Sequence, residues 1–308
     1  MCIVIAGATG FIGRALSAAL CGDYEVIALS RDVRRAQQVL PPAVTTVQWD
    51  ARTHEGWAEH ANGAAAVVDL VGENIGAGRW TRARKQRIMQ SRADAAQAIL
   101  MAVRQARTKP DVVILGSAVG YYGPGGDETL DEDCPAGKGF LPEVCRAVEG
   151  CADALEAMGV RVVRLRTGLV LGPGGGALQK MALPFRFHVG GRIGSGRQWM
   201  SWVSLRDEVA TIRYLIENKT LRGAYNVTAP QPARAADFFH ALGRAMGRRS
   251  WALMPAFVAR ALFGQMADEV LLAGQRVAAR RLAEAGFTFQ DHDLQTTLDD
   301  IYLRGTNP

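Results

Sequence analysis

The sequence lacks the features that mark several classes of protein. None of its five cysteines forms a Cys-x-x-Cys pair, and their odd number argues against a disulfide framework. The five histidines share no ligand spacing, which argues against a metal centre. No apolar run reaches the roughly 18 residues that span a bilayer, and no secretory signal pattern is present. We therefore expect a cytoplasmic protein with reduced thiols and no membrane partner.

The charge distribution is unremarkable for a globular protein. Lysine and arginine outnumber aspartate and glutamate by 36 to 30, which gives a net charge of +6. The basic residues are scattered, with the densest groups at 79–87 and 244–249 and no basic tail. This pattern favours an ordinary solvated surface over nucleic-acid binding. The expected partner is a small-molecule substrate, and the oligomeric state stays open.

Strand-like and helix-like segments alternate through the first half of the chain. The predicted strands are Cys2–Ala6, Glu25–Leu29, Thr45–Gln48, Ala65–Leu70, Val112–Gly116 and Arg161–Leu165. The predicted helices are Phe11–Cys21, Val33–Val39, Arg82–Ala106 and Leu141–Met158. Apolar strands separated by helices indicate βαβ units and a parallel sheet. The fold class expected is α/β, a Rossmann-type doubly wound parallel sheet.

The pattern changes after Gly172. Glycine-rich loops follow, and a helix at Arg206–Glu217 and a strand at Ala224–Val227 then return to the sheet. From Pro230 onward the sequence is helical and poor in strands. We therefore predict a dinucleotide-binding domain of residues 1–172 plus 200–229. A smaller, mostly helical cap would consist of residues 173–199 plus 230–308.

A glycine-spaced turn separates the first strand from the first helix. Glycines three residues apart let a backbone approach a diphosphate closely, and the helix N-terminus directs free N–H groups at it. The position after a strand and before a helix makes the motif specific. The predicted cofactor-binding residues of this turn are Gly7, Thr9, Gly10, Phe11, Ile12 and Gly13.

The end of the second strand favours NADP(H) over NAD(H). An acidic residue there would bind the ribose 2′-hydroxyl, but the chain has Ser30 and Arg31, followed by Arg34 and Arg35. A guanidinium can bind a 2′-phosphate through two hydrogen bonds, and a serine hydroxyl can donate to it. The alternative is that these arginines only begin a surface helix. Asp50, after the third strand, either contacts the adenine amino group or serves as a turn residue.

These motifs resemble the extended short-chain dehydrogenase/reductase superfamily, and a narrower match covers nearly the whole chain. The narrower match is similar to an atypical branch of epimerase family proteins, the SDR39U1-like group with a DUF1731-type C-terminal segment. The resemblance implies an NADP(H)-binding protein with a C-terminal cap. The matching segments are 7–13, 72–75, 117–123, 166–174, 190–198, 202–209, 225–227, 274–276, 281–282 and 285–287.

The resemblance also implies a catalytic serine and a Tyr-x-x-x-Lys motif, in which the lysine lowers the tyrosine pKa. Ser117 matches the serine and is assigned a substrate-polarising role. The Tyr-x-x-x-Lys motif is absent, and Leu141 and Cys145 stand in its place. Tyr121 and Tyr122, in the loop after Ser117, are the candidate replacement acids, or else a packed pair.

Other residues at the predicted cleft have two interpretations each. Gly72 and Glu73 follow the fourth strand, where Glu73 either faces the cleft or belongs to a turn. Arg186, Arg192 and Arg197 either bind a phosphate or carboxylate of a substrate or lie on the surface. The function expected is an NADP(H)-dependent oxidoreductase or epimerase-like enzyme, acting on a sugar nucleotide or a carbonyl compound. The alternative is a catalytically reduced NADP(H)-binding regulator.

Overall fold

A parallel sheet organises the chain, of which the computed structural model describes residues 1–304. The strands are β1 Cys2–Ala6, β2 Glu25–Ser30, β3 Thr45–Gln48, β4 Ala66–Asp69, β5 Val112–Ala118, β6 Thr129–Leu130, β7 Arg161–Thr167, β8 Leu169–Leu171, β9 Gly191–Ile193, β10 Trp199–Met200, β11 Trp202–Ser204, β12 Gly223–Val227, β13 Ala233–Arg234, β14 Ala252–Met254 and β15 Arg276–Val277.

Helices connect and cover these strands. They are α1 Phe11–Leu20, α2 Val33–Val39, α3 Arg82–Gln105, α4 Phe140–Glu149, α5 Ala152–Glu156, α6 Leu178–Arg186, α7 Leu205–Glu217, α8 Ala235–Ala245, α9 Ala256–Phe263, α10 Arg280–Glu284 and α11 Leu294–Asp299. Short 3₁₀ helices lie at Ala58–Ala61 and Val119–Tyr122, and π-helical turns at Ala267–Leu271 and Asp300–Arg304. Within this described range, no helix is long and apolar enough to cross a membrane.

Seven strands form the central sheet in the order β12-β7-β5-β4-β1-β2-β3, all parallel. Strands β2 and β3 lie on one side of β1, and the chain then returns to place β4 on the other side of β1. Ligands of such sheets bind at the carboxyl ends of the strands, where the order reverses. This topology confirms the predicted Rossmann-type α/β fold.

Both faces of the sheet are buried under helices. Ile3 and Ile5 point into one apolar core, and Val4 and Ala6 point into the other. Such alternation follows from the two-residue period of a strand, and burial on both faces explains why β1 is apolar throughout.

A third apolar core lies in the C-terminal half. It joins Leu178 and Phe185 of α6 to Trp202 and to Phe238 and Leu242 of α8. Residues 173–199 therefore pack with the segment that follows β12, as the sequence suggested for the cap. The division into two domains stays a prediction.

The helix predicted over Leu141–Met158 is wrong in one respect, because it is interrupted. The first part, α4, ends at Glu149 with Gly150 as its C-cap, and α5 begins at Ala152. Glycine is a poor residue for a helix interior because it has more backbone freedom to lose than other residues. The break leaves Glu149 at the end of α4, where it enters the site described below.

One buried carboxyl group makes the stability of the fold depend on pH. Glu208 in α7 is fully buried, and its Oε1 accepts a hydrogen bond of 2.8 Å from Thr167 Oγ1. Its Oε2 has no partner among the described residues, and burial raises the pKa of Glu208 to about 8. The folded state therefore holds this proton more tightly than the unfolded state. The contribution of protonated Glu208 to the free energy of unfolding is complete below the pKa that Glu208 has in the unfolded chain. It is lost as the pH rises from that value to about 8.

The substitution Glu208→Gln should remove this loss. Each pKa unit corresponds to about 1.4 kcal/mol, so the rise from 4.5 to about 8 predicts a gain of up to about 5 kcal/mol for the variant, relative to the native protein, between about pH 5 and pH 9. Urea unfolding across this pH range measures the difference. The control is Glu143→Gln, which replaces an exposed carboxyl group on α4. Parallel profiles for the native protein and Glu208→Gln would contradict the prediction.

Candidate active site

The glycine turn between β1 and α1 lies against the backbone at the end of β4. Gly7 has a φ of +81°, and a Cβ there would lie 2.7 Å from the carbonyl carbon of Leu70. A Cβ on Gly13 would lie 2.7 Å from the Cα of Ala8. Gly10 is the N-cap of α1 and gives it no side-chain acceptor. The first N–H groups of α1 are therefore open to an anion, and the turn fits the diphosphate expected from the sequence.

A second glycine-rich loop covers the start of α1. A Cβ on Gly176 would lie 2.9 Å from a ring carbon of Phe11, so the loop backbone rests on this ring. Thr9 and Ile12 are half-buried on either side of the turn. The predicted residues of the turn thus form one continuous surface, covered by the loop that precedes α6.

The loop that follows β4 also contacts α6 near the glycine turn. Lys180 in α6 donates a hydrogen bond of 2.6 Å to the carbonyl of Gly76, in the loop that follows β4. That loop begins beside Leu70, which contacts Gly7, while the segment before α6 rests on Phe11. These contacts therefore link the loop after β4, the start of α6 and the glycine turn to one another.

The end of β2 presents arginines to solvent. Arg31, Arg34 and Arg35 are exposed, and no carboxylate among residues 1–304 forms an ion pair with them within 4.0 Å. The Ser30 hydroxyl donates to the carbonyl of Asp32 (3.0 Å), so its proton is already used. Asp32 in turn accepts the N–H of Arg35 (3.0 Å) as the N-cap of α2. The guanidinium groups, rather than Ser30, are thus the donors available to a phosphate.

Asp50 occupies a turn after β3. Its Oδ1 accepts the backbone N–H groups of Thr53 (2.9 Å) and Arg52 (2.8 Å), and these hydrogen bonds lower the pKa of Asp50. The contacts agree with the turn interpretation, and a contact with adenine stays a prediction.

Arg92 holds the loop that begins at Gly72. Its guanidinium lies where a side chain at Gly72 would be, and its Nη1 donates to the carbonyl of Glu73 (3.1 Å). The Glu73 carboxylate lies 3.5 Å from Nη2 of Arg84 and is 40% exposed. Glu73 is therefore ion-paired with Arg84 at the edge of the site, and Arg92 holds its loop in place through a backbone hydrogen bond.

Three polar residues from neighbouring strands form a row at the carboxyl end of the sheet. Ser117 in β5 pairs in register with Arg166 in β7, which pairs with Asn226 in β12. Residues paired in this way project to the same face. The end of α4 adds Glu149, whose two oxygens accept from Nε (3.0 Å) and Nη2 (2.9 Å) of Arg166.

The buried ion pair determines how Ser117 is oriented. Arg166 and Glu149 are 4% and 8% exposed. Burial alone would lower the pKa of Arg166, but the hydrogen bonds and charge of Glu149 raise it, so Arg166 stays protonated. Ser117 Oγ donates to Glu149 Oε1 over 2.7 Å. Its remaining lone pairs can accept a hydrogen bond from a substrate, and the substrate-polarising role of Ser117 stays a prediction.

The two adjacent tyrosines have different surroundings. Tyr122 is buried, where its hydroxyl donates to Asn226 Oδ1 (2.7 Å) and accepts from Arg166 Nη1 (3.0 Å). Burial raises the pKa of Tyr122 to about 12, so it keeps its proton. Tyr121 is half-buried, and its ring centroid lies 3.5 Å from Cζ of Arg166. Tyr121 is thus the more accessible of the two.

The positions aligned with the missing Tyr-x-x-x-Lys motif are packing positions. Leu141 lies against Gly120, where a Cβ would be 3.2 Å from the Leu141 Cβ. The buried Cys145 thiol contacts the Ala118 carbonyl at 3.7 Å, and burial raises the pKa of Cys145. Neither residue replaces the proton-transfer chemistry of the absent tyrosine and lysine.

Several polar residues of this region carry no motif that would have marked them in the sequence. Arg166 and Asn226 are two of them, and Asp69, buried at the end of β4, is a third. Asp69 accepts the N–H of Val71 (3.0 Å), and burial raises its pKa to about 7. The signal available in the sequence was a charged or amide residue at the carboxyl end of an apolar strand.

The chain is similar to known proteins along nearly its whole length. The model of the NAD dependent epimerase/dehydratase family matches residues 3–228, and that of DUF1731, a domain of unknown function, matches residues 254–301. An epimerase family protein of Mycobacterium bovis is 40% identical over 297 residues, which cover 96% of each chain. The chloroplastic SDR39U1 homolog of Arabidopsis thaliana is 38% identical, over 94% of this chain and 83% of its own.

A solved structure gives the same result. The crystal structure of human epimerase family protein SDR39U1 with NADPH superposes with a TM-score of 0.86 at 32% identity. The superposition covers 98% of this chain and 99% of the human chain. The likeness therefore includes both the central sheet and the C-terminal segments.

A double-mutant cycle should reveal the buried ion pair. Arg166→Met and Glu149→Gln should each cost about 3–5 kcal/mol in the free energy of unfolding, because each leaves a buried polar partner without its counterpart. The double variant should cost less than the sum of the two. Urea unfolding gives the three values.

Arg164→Met is the matched control on the same strand. The partners of Arg164 are Asp153 and Glu156, whose side chains are 90% and 41% exposed. Its ion pairs should contribute at most about 1 kcal/mol. Additive costs for Arg166→Met and Glu149→Gln would contradict the coupling inferred from the geometry.

Proposed function

The chain belongs to the NAD-dependent epimerase/dehydratase family, in its branch of epimerase family proteins, and on that premise we propose that it is an NADP(H)-dependent oxidoreductase or epimerase-like enzyme acting on a small molecule. The main support for the proposal is the glycine turn before α1, together with the solvent-exposed arginines at the end of β2. The human relative, crystallised with NADPH, supports the choice of cofactor.

The chain supplies separate groups for each part of the cofactor. The open N–H groups of α1, behind Gly7 and Gly10, would hold the diphosphate. Arg31 and Arg35 would hold the 2′-phosphate, because they are exposed and carry no ion pair among the described residues. Bound there, NADP(H) supplies or accepts a hydride.

The residues after β5 would act on the substrate. Ser117 would accept a hydrogen bond from a substrate hydroxyl, because its own proton goes to Glu149. Tyr121 would give its phenolic proton to the substrate oxygen when the attached carbon accepts a hydride, and would take that proton back when the carbon gives up a hydride, since Tyr121 is the more accessible tyrosine. Tyr122 is a positioning residue, which holds Arg166 and Asn226 in place.

The cofactor preference is testable with one arginine. Arg31→Ala should weaken NADPH binding at least about tenfold, because a charged hydrogen bond is lost, and should leave NADH binding within about twofold. Isothermal titration calorimetry with both nucleotides measures this. Arg222→Ala is the control, because Arg222 is exposed just before β12, at the amino end of the sheet. Equal weakening of both nucleotides would show that Arg31 does not contact the 2′-phosphate.

A second candidate function is an NADP(H)-binding regulator with little or no catalysis. It is favoured by the packing roles of Leu141 and Cys145, since α4 then offers no proton donor at the usual positions. Turnover separates the two candidates. The enzyme proposal expects slow loss of nicotinamide absorbance with NADPH and carbonyl compounds, reduced in Tyr121→Phe, and slow gain of absorbance with NADP⁺ and the corresponding alcohols, reduced in Ser117→Ala. Tight NADPH binding without turnover would favour the regulator.

A further inference from the structure

Exposed apolar side chains are concentrated on two short segments of the C-terminal half. Among residues 1–304, eleven large apolar side chains are exposed, and seven of them lie within residues 183–189 and 251–262. They include Phe187 and Trp251, which are 70% and 69% exposed. Soluble proteins normally expose such side chains singly, so their concentration on two segments indicates an interaction site.

A two-stranded sheet joins the two segments. Strand β14 pairs in parallel with β9, which places Leu253 beside Arg192. Both of these side chains are exposed, whereas Ile193, the next residue of β9, packs against the third apolar core. Since successive side chains of a strand alternate between its two faces, one face of this small sheet covers the core and the other faces solvent.

Trp251 links the small sheet to the turn that follows α6. Trp251 immediately precedes β14, and its indole Nε1 donates a hydrogen bond of 2.9 Å to the backbone carbonyl of His188. The two neighbours of His188 in the sequence are exposed apolar residues as well. One exposed surface therefore combines residues of both segments. We call Phe187, Val189, Trp251 and Leu253 the apolar face.

The segments that carry the apolar face contain no acidic residue. Neither aspartate nor glutamate occurs in residues 157–206 or in residues 238–267. Four exposed arginines lie next to the apolar face in sequence or in strand register, and none of them forms an ion pair within 4.0 Å among the described residues. These are Arg186, Arg192, Arg248 and Arg249. The apolar face is thus accompanied by unpaired positive charge, which is complementary to an anionic partner.

We propose that the apolar face binds the surface of a bilayer that contains anionic phospholipids. Tryptophan and phenylalanine side chains bind at the boundary between headgroups and acyl chains, and arginines beside them attract the anionic headgroups. The hydrogen bond to His188 fixes the Trp251 ring before contact, so less side-chain freedom is lost on binding. The proposal is independent of the proposed function, because none of these residues is assigned to the cofactor.

The geometry and the charges favour a bilayer over two other occupants. A two-fold contact with a second copy of the chain would bring Arg192 and Arg249 of both copies to one interface, where like charges repel. A peptide binds in a concave groove, whose lining side chains are partly covered by their neighbours. Phe187 and Trp251 instead project into solvent.

This proposal replaces the expectation of no membrane partner. That expectation rests on the lack of an apolar run that could span a bilayer. Binding to a membrane surface needs no such run, because only side chains enter the boundary region.

Sedimentation with lipid vesicles tests the proposal. Vesicles of phosphatidylcholine and phosphatidylglycerol should bind the full chain, and vesicles of phosphatidylcholine alone should bind it much more weakly. Trp251→Ala and Phe187→Ala should each weaken binding at least about tenfold, because each removes a large apolar side chain from the boundary region. The control is Val39→Ala, since Val39 is an exposed apolar residue of α2. Thermal unfolding checks that each variant is folded.

Arg192→Gln tests the contribution of charge. It should weaken binding to the phosphatidylglycerol vesicles about fivefold, while Arg107→Gln, which replaces an exposed arginine after α3, should change binding less than about twofold. Fluorescence gives a second measurement, because Trp251 is the one exposed tryptophan among the six. Brominated acyl chains should quench the native protein, and this quenching should be lost in Trp251→Phe, which keeps an apolar ring.

Three results would overturn the inference. The first is no binding to phosphatidylglycerol vesicles, which would leave a protein as the occupant of the apolar face. The second is binding that Trp251→Ala and Phe187→Ala weaken no more than Val39→Ala does, which would show nonspecific adsorption of a basic chain. The third is self-association without lipid that Trp251→Ala abolishes, measured by analytical ultracentrifugation, which would identify a second copy as the occupant.

Discussion

The bidentate ion pair between Arg166 and Glu149 is the interaction on which the geometry of the site depends. It joins the carboxyl end of β7 to the end of α4, in a region where both side chains are almost fully buried. Buried charges are costly unless all their hydrogen-bonding capacity is met. Ser117, Tyr122 and the carbonyl of Glu132 provide the additional partners. The pair thereby fixes residues from β5, β7 and α4 in one arrangement.

That arrangement also limits which contacts Ser117 and the two tyrosines can make with a substrate. Since Ser117 donates to Glu149, the serine can only accept from a substrate while this hydrogen bond persists. Since Tyr122 is held between Arg166 and Asn226, Tyr121 is the tyrosine nearer to solvent. The polar groups at the centre of the site thus come from strand ends and the turn after β5. The positions at which the Tyr-x-x-x-Lys motif is expected are Leu141 and Cys145 of α4, and both are packing positions.

Much of the fold follows from patterns along the chain. The strand at Cys2–Ala6 and the helix at Val33–Val39 have the predicted bounds, because apolar periodicity and the N-cap Asp32 are local signals. The family resemblance is confirmed by the family models, which match residues 3–228 and 254–301. The break at Gly150 was missed, because the apolar pattern continues on both sides of it. One glycine does not change the apolar periodicity of a helical segment, so periodicity alone cannot locate this break.

Three features could be predicted from residue order alone: a glycine turn between the first strand and the first helix, a parallel sheet, and the lack of a Tyr-x-x-x-Lys motif after Ser117. Each is a matter of residue type and spacing within a short segment. The row formed by Ser117, Arg166 and Asn226, and the position of Glu149 beside it, depend instead on how the folded chain packs. These residues are far apart in sequence, and strand register, set by hydrogen bonds between strands, brings them together.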